Sequence, residues 1–249
     1  MTHPKILLRQ ASATIFAALL PCLGGHAQER CQAFNLETLP KREVRAVWLT
    51  TLSNLDWPKG YATTQEGIER QKRQLTEILD RYAEANINTV LFQARVRATT
   101  TYPSALEPWD RCLTGQEGRA PGYDPLRFAI EECHKRGMEI HAWLAPIPCG
   151  PWTSLGCRRL RAKGLRLRKL DGAGYLDPSD ERVAPYLASV CAELTEKYDI
   201  DGIHLDYIRY PDGWPRATRR NGDTPDYRRA NINRIVRAIH EAVEMRKPW

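Results

Sequence analysis

His204 and Asp206 stand two positions apart in the stretch GIHLDYIRYP, residues 202–211, with Arg209 close behind. Strand side chains repeat every two residues, so His204 and Asp206 share one face and Ile203 and Leu205 the other. A carboxylate at such a place can give or take a proton, or act as a nucleophile. The histidine can tune it through a hydrogen bond. Upstream, His141 and Trp143 alternate with Ile140, Ala142 and Leu144, while Gln93, Arg95 and Arg97 alternate with Val90, Phe92 and Ala94. Arginine suits planar, bidentate partners. His141, His204 and Asp206 are metal-ligating types, but such a site would have to be assembled from separate strands, and none is expected. No glycine-rich fingerprint follows the first strand, so no nucleotide cofactor is expected either.

The elements that must position these residues alternate along the chain. Strands are predicted over 44–52, 88–96, 138–145 and 201–210. Helices are predicted over 65–85, 125–136, 181–198 and 227–245, from apolar residues at helical spacing and from caps such as Asp124 before Pro125. The long segments 97–123 and 146–175 read as loops. Both follow strands, whereas the returns from helix to strand are short. Alternating strands and helices argue for a parallel α/β sheet. The loop asymmetry puts the working surface at the C-terminal ends of the strands. Each strand has one apolar face and one that turns polar toward its C-terminal end. An open sheet covered on both sides would tend to be apolar on both faces. The expectation is therefore a (β/α)8 TIM barrel, of which residues 41–249 hold the first four βα units.

Composition is that of a globular protein, with 42% hydrophobic and 27% charged residues. Residues 1–27 read as a secretory signal peptide: Lys5 and Arg9, the apolar run 11–20, then Gly25-His26-Ala27 before the cut. Residues 28–40 read as a linker. The expected location is outside the cytoplasm, periplasmic or extracellular, with lipid anchoring at Cys22 disfavoured because Pro21 sits where a small residue is wanted. No other segment is apolar enough to cross a membrane. Loss of residues 1–27 lowers the formal charge from +7 to +5. The densest basic run, 158–169, has no aromatic residues among its charges, so nucleic acid is not an expected partner, and the run reads as an exposed loop. Cys149 and Cys157 flank a Pro/Gly/Trp loop and could pair; Cys133 and Cys191 read equally as core residues.

Taken in order, REVRAVWLTT (42–51), LDWP (55–58), NTVLFQARVR (88–97), YPSALEPW (102–109), PGYDPL (121–126), HKRGMEIHAW (134–143), LDPS (176–179) and YDIDGIHLDYIRYP (198–211) resemble the glycosyl-hydrolase-like 10 family. That is a group of exported (β/α)8 barrels, and the resemblance spans nearly all of 42–211. Two departures stand out. The family often has Gly-Asp where Ala98-Thr99 stands here, and many members carry Asn-Pro where this chain has Ala145-Pro146. In relatives the segment Lys-Pro-Trp runs into a fifth strand, so the resemblance implies that this chain is the N-terminal half of a longer protein.

The resemblance implies hydrolysis of glycosidic bonds in a polysaccharide, and some relatives act on the glycan strands of peptidoglycan. Such chemistry uses two carboxyl groups, one to protonate the leaving oxygen and one to act as nucleophile or activate water. Asp206 is the candidate for one of them; Glu139, Glu107 and Asp110 are weaker candidates for the other. Arg95 and Arg97 could meet sugar hydroxyls, an acidic sugar group or Asp206 itself. His141 and His204 could tune the carboxylate, and Trp143 and Trp48 could stack on sugar rings. A carbohydrate-binding barrel without catalysis, and a metal-dependent deacetylase of a sugar substituent, are the alternatives. Oligomeric state is open.

Overall fold

The computed structural model describes residues 43–214 and 223–247. The expected signal peptide, Cys22, Cys31 and the linker lie outside them.

Strand β1 (Ala46–Leu49) leads through a 3-10 turn at Leu52–Asn54 to helix α1 (Gln65–Glu84). Then come β2 (Thr89–Arg95), the short α2 (Arg111–Thr114), α3 (Pro125–Lys135) and β3 (Glu139–Leu144). The chain continues through β4 (Pro148–Pro151), α4 (Leu155–Ala162), β5 (Leu167–Leu170) and β6 (Ala173–Leu176). It ends with α5 (Val183–Lys197), β7 (Gly202–Leu205) and α6 (Pro225–Glu244). The main sheet is parallel in the order β1-β2-β3-β7, as expected of successive βα units.

The helices form where the sequence places their starts. Thr64 caps α1 by accepting from Gly67 N at 3.1 Å, and Asp124 caps α3 ahead of Pro125 by accepting from Arg127 N at 3.1 Å. In α1 the buried residues Gln71, Leu75 and Leu79 recur every four positions, which places them on one face. Burial of a leucine such as Leu75 contributes about 1.5–3 kcal/mol. The Gln71 amide is buried and fully engaged. It donates to Gly60 O and Leu113 O at 2.8 and 2.9 Å and accepts from Tyr123 Oη at 2.8 Å, tying α2 and two loop segments to α1.

One row of each strand faces the helices. Leu49, Val90, Phe92, Ala94, Ile140, Ala142 and Leu144 are buried there and form the core with α1, α3 and α5. The opposite row carries Trp48, Gln93, His141, Trp143, His204 and, just past the end of β7, Asp206. Trp48 and His204 lie on strands with β2 and β3 between them. Yet the indole Nε1 donates to His204 Nε2 at 3.2 Å, with the rings edge to face. Side chains three strands apart meet only if the sheet curls, so this row lines a concave surface, as the inside of a barrel does.

The segment 146–175 is not a loop. It folds as helix α4 and a three-stranded antiparallel sheet in the order β4-β6-β5. Its hairpin turns at Asp171-Gly172, both with positive φ, a dipeptide signal legible in the sequence. The basic run 158–169 lies across α4 and β5, and several of its charges have partners. Arg161 stacks on Trp152 at 4.1 Å, Lys163 donates to Leu106 O at 2.8 Å, and Arg166 and Arg168 pair with Asp177 at 2.9 and 3.1 Å.

Cys149 and Cys157 are neighbouring free thiols, Cys157 Sγ lying 3.1 Å from Cys149 O; Cys133 and Cys191 are buried in the core. Between the two side chains, the Cys149 thiol acting as donor holds the Cys157 thiol below its ordinary value, while burial pushes the Cys149 thiol up. Among the described residues no helix is long and apolar enough to cross a membrane.

Helix α4 rests directly on the segment after β2: a Cβ at Gly156 would come within 2.5 Å of Ala98 O. Gly156→Ala is expected to destabilise the protein by about 1–3 kcal/mol through overpacking, read as a lower urea midpoint.

Candidate active site

Asp206 continues the β3–β7 ladder by one residue, its N–H donating to Leu144 O at 2.8 Å. The backbone then turns sharply, with Tyr207 at φ +51. This turn points the Tyr207 N–H at Asp206 Oδ1, 2.7 Å away. Trp143, from the middle row of the concave face, donates its indole N–H to Asp206 Oδ2 at 3.2 Å. The carboxylate is half-buried, and each oxygen is held by one donor. A group with fixed orientation and lone pairs to spare suits proton transfer or nucleophilic attack.

Asp206, Trp143 and Arg97 line one cleft of about 780 Å³ at the C-terminal end of the sheet. One wall comes from the small antiparallel sheet, through Gly172, Gly174 and Tyr175. Another comes from the segment after β1, which Gln93 holds in place. Gln93 Oε1 accepts from Thr50 Oγ1, Thr51 N and Leu52 N at 2.7, 2.9 and 3.0 Å. Sequence reasoning placed Gln93 on the polar face but gave it no role. Only its place on the polar face was legible; that it stands opposite Trp143 is set by the strand register.

The other candidates separate. His204 is engaged by Trp48, and His141 turns toward Glu139, 3.3 Å away, with its ring over Gly202. These three lie deeper on the concave face and do not line the Asp206 cleft. Trp48 is 54% exposed there. Among the described residues no cluster of His, Cys, Asp or Glu side chains is placed to hold a metal ion.

Arg95 requires a correction. Strict alternation placed it on the polar face with a role at the substrate. The pairing of β2 with β3 slips between Gln93 and Arg95, so Arg95 stands opposite Leu144, a residue of the helix-facing row. Its side chain is fully buried. Nε and Nη2 donate to the two Glu107 oxygens, each at 2.7 Å, and Nη1 donates to Ala145 O and to Pro146 O, the latter at 3.1 Å. Tyr186 of α5 completes the group by donating to Glu107 at 2.9 Å. Burial disfavours the Arg95 charge, but the Glu107 carboxylate outweighs this and holds the guanidinium firmly protonated. Glu107 is thereby committed to structure. Asp110 is likewise engaged, accepting from Cys112 N at 2.7 Å and Thr99 Oγ1 at 2.5 Å. Of the remaining acids, Asp171 and Asp212 line the cleft with Asp206, and Asp212 pairs with Arg209 at 3.1 Å. Glu139 lies at the opposite end of β3.

Comparison with known proteins accords with this architecture. The profile of the family described as glycosyl hydrolase-like 10 matches residues 43–249. The chain belongs to that family. Among curated members of similar sequence, Glycosyl hydrolase YngK of Bacillus subtilis (strain 168) is 30% identical over 226 residues, 84% of this chain and 44% of the relative. Glycosyl hydrolase DigH of Escherichia coli (strain K12) is 29% identical over 233 residues, 82% of this chain and 53% of the relative. The chain thus spans about half the length of the curated relatives it matches. Among solved structures, alpha-L-fucosidase isoenzyme 2 from Paenibacillus thiaminolyticus superposes with TM-score 0.51 at 18% identity, over 83% of this chain and 31% of that one. A glycoside hydrolase family 20 beta-N-acetylglucosaminidase superposes with TM-score 0.50 at 13% identity, over 80% and 41%. At these identities the likeness is one of fold: the βα units of this family member match part of a TIM barrel.

Removing one partner of the Arg95–Glu107 pair strands a buried charge. Glu107→Ala is expected to cost about 3–5 kcal/mol in urea denaturation, and a combined Arg95→Met, Glu107→Leu variant to recover much of that.

Proposed function

We propose that the protein hydrolyses glycosidic bonds of a polysaccharide outside the cytoplasm, and that Asp206 supplies one of the two carboxyl groups the reaction needs. The observation that carries this reading is the oriented, half-buried Asp206 carboxylate at the C-terminal end of β7, in a cleft shared with Trp143 and Arg97. That is where barrel enzymes keep their reacting groups. The family description and the names of both curated relatives support the reaction class. The basic, then apolar, then small-residue pattern of residues 1–27 supports export. Glycan strands of peptidoglycan are the substrate that fits an envelope location.

In this mechanism Asp206 either protonates the leaving oxygen or attacks the anomeric carbon. Its partner carboxylate takes the complementary role across the scissile bond. Trp143 acts on the reaction through Asp206. Its indole N–H fixes the orientation of the carboxylate, and its half-buried ring, which lines the cleft, offers a face for sugar C–H groups.

Asp206→Asn keeps the shape of the side chain and removes its proton chemistry. In full-length protein it is expected to lower kcat on purified glycan strands by at least about 10²–10⁴-fold, with unchanged circular dichroism. Trp143→Phe is expected to leave KM for glycan nearly unchanged and lower kcat by about 10-fold, since it releases the carboxylate from its fixed orientation. Glycan binding without measurable turnover in either protein would favour a carbohydrate-binding barrel instead.

A further inference from the structure

Beside the Asp206 cleft lies a second cavity of about 610 Å³. The two share Leu52, Val96, Arg97, Gly150 and Pro151 as lining residues, so they adjoin, and Arg97 stands at the junction. The volume falls in the range of roughly 300–1,000 Å³ usual for small-molecule sites.

The donors in this cavity are unspent. Arg97 and Arg111 both line it and both are exposed. Neither guanidinium has a hydrogen-bond or ion-pair partner among the described residues. Other arginines find acids: Arg136 pairs with Asp80 and Glu132, Arg182 with Asp180, Arg228 with Asp223. Two acids line the same cavity, so net charge does not distinguish it. The distribution of free donors does. Asp110 is occupied by Cys112 N and Thr99 Oγ1. Glu117 accepts from Leu155 N and Gly156 N at 2.8 and 2.9 Å, at the start of α4. The carboxylates therefore face protein donors, while the guanidinium donors face none.

Tyr61 adds a flat surface. It is 48% exposed and lines the same cavity. Its ring is fixed against Gly115, where an added Cβ would come within 3.1 Å of it. An aromatic face beside two free guanidinium groups matches a sugar ring that carries a carboxylate. The ring's C–H face lies on the aromatic, and the carboxylate takes charge-assisted, bidentate hydrogen bonds.

We propose that this cavity is a subsite for an acidic sugar, with Arg97 and Arg111 binding its carboxylate and Tyr61 its ring. The inference deepens the glycan-hydrolase reading and rests on it. It makes the substrate a glycan with carboxylate-bearing residues, one of which sits next to the bond presented to Asp206.

The test is equilibrium binding, which needs no turnover. Tryptophan fluorescence or calorimetry of the full-length protein would compare D-glucuronate with D-glucose, and N-acetylmuramate with N-acetylglucosamine. The acids are expected to bind about 10-fold or more tightly than their neutral parents, with the preference weakened by salt. The double variant Arg97→Gln, Arg111→Gln should abolish the preference, and Arg97→Lys, Arg111→Lys should restore part of it. Equal binding of acid and neutral sugar, binding of neither up to their solubility, or a preference that survives the double glutamine variant would each overturn the proposal. The preference should persist in Asp206→Asn. A failed hydrolase reading appears as activity indifferent to that substitution, whereas a failed subsite appears in the binding data alone.

Discussion

A guanidinium shut off from water must find an acceptor for its donors, and that requirement organises the top of this sheet. Arg95 meets it with both oxygens of Glu107 and the carbonyls of Ala145 and Pro146. Those acceptors come from the long segment after β2 and from the exit of β3. Tyr186 brings in α5 through the same carboxylate. One buried pair thus ties together the segment after β2, the departure of the chain toward β4, and helix α5. Ala145, one of those acceptors, also lines the Asp206 cleft. A buried ion pair is weak evidence for net stability, because desolvation offsets attraction. Its contribution here is geometric: few other arrangements satisfy all of these groups at once.

Curvature is the second constraint. The contact between Trp48 and His204 spans the strands between them and exists because the sheet curls. Curling converts a row of period-two residues into converging side chains. Along the concave surface these fall in layers: Trp48 and His141 lower, then Gln93, Trp143 and His204, then Asp206 at the rim. Candidates that are equivalent on a flat strand become different. Gln93, Trp143 and Asp206 line the cleft, while Trp48 and His204 engage each other.

The small antiparallel sheet gives that rim depth. Without β4, β6 and β5 the C-terminal ends of the strands would open directly to solvent; with them, Asp206 sits in a bounded cleft that runs on toward Arg111 and Tyr61. Helix α4 seats this unit on the segment after β2 through Gly156, and Glu117 caps that helix from the other side.

By itself the sequence determined the parallel α/β order, the helix-facing and polar rows of β2, β3 and β7 apart from Arg95, and the candidacy of Asp206. Period-two and period-3.6 patterns and end caps are local, and local rules read them. Partnership was beyond its reach. The slip between Gln93 and Arg95 turns one arginine from the polar row to the core, and nothing in the alternation marks it. The segment 146–175 read as a loop because its strands β5 and β6 are four residues long, too short for a periodic signal. Whether Arg97 or Arg95 keeps free donors, which indole holds Asp206, and which acids are already committed were decided only in the tertiary structure. Each depends on groups brought together from distant parts of the chain, and a hydrogen bond is settled by the position of both its ends.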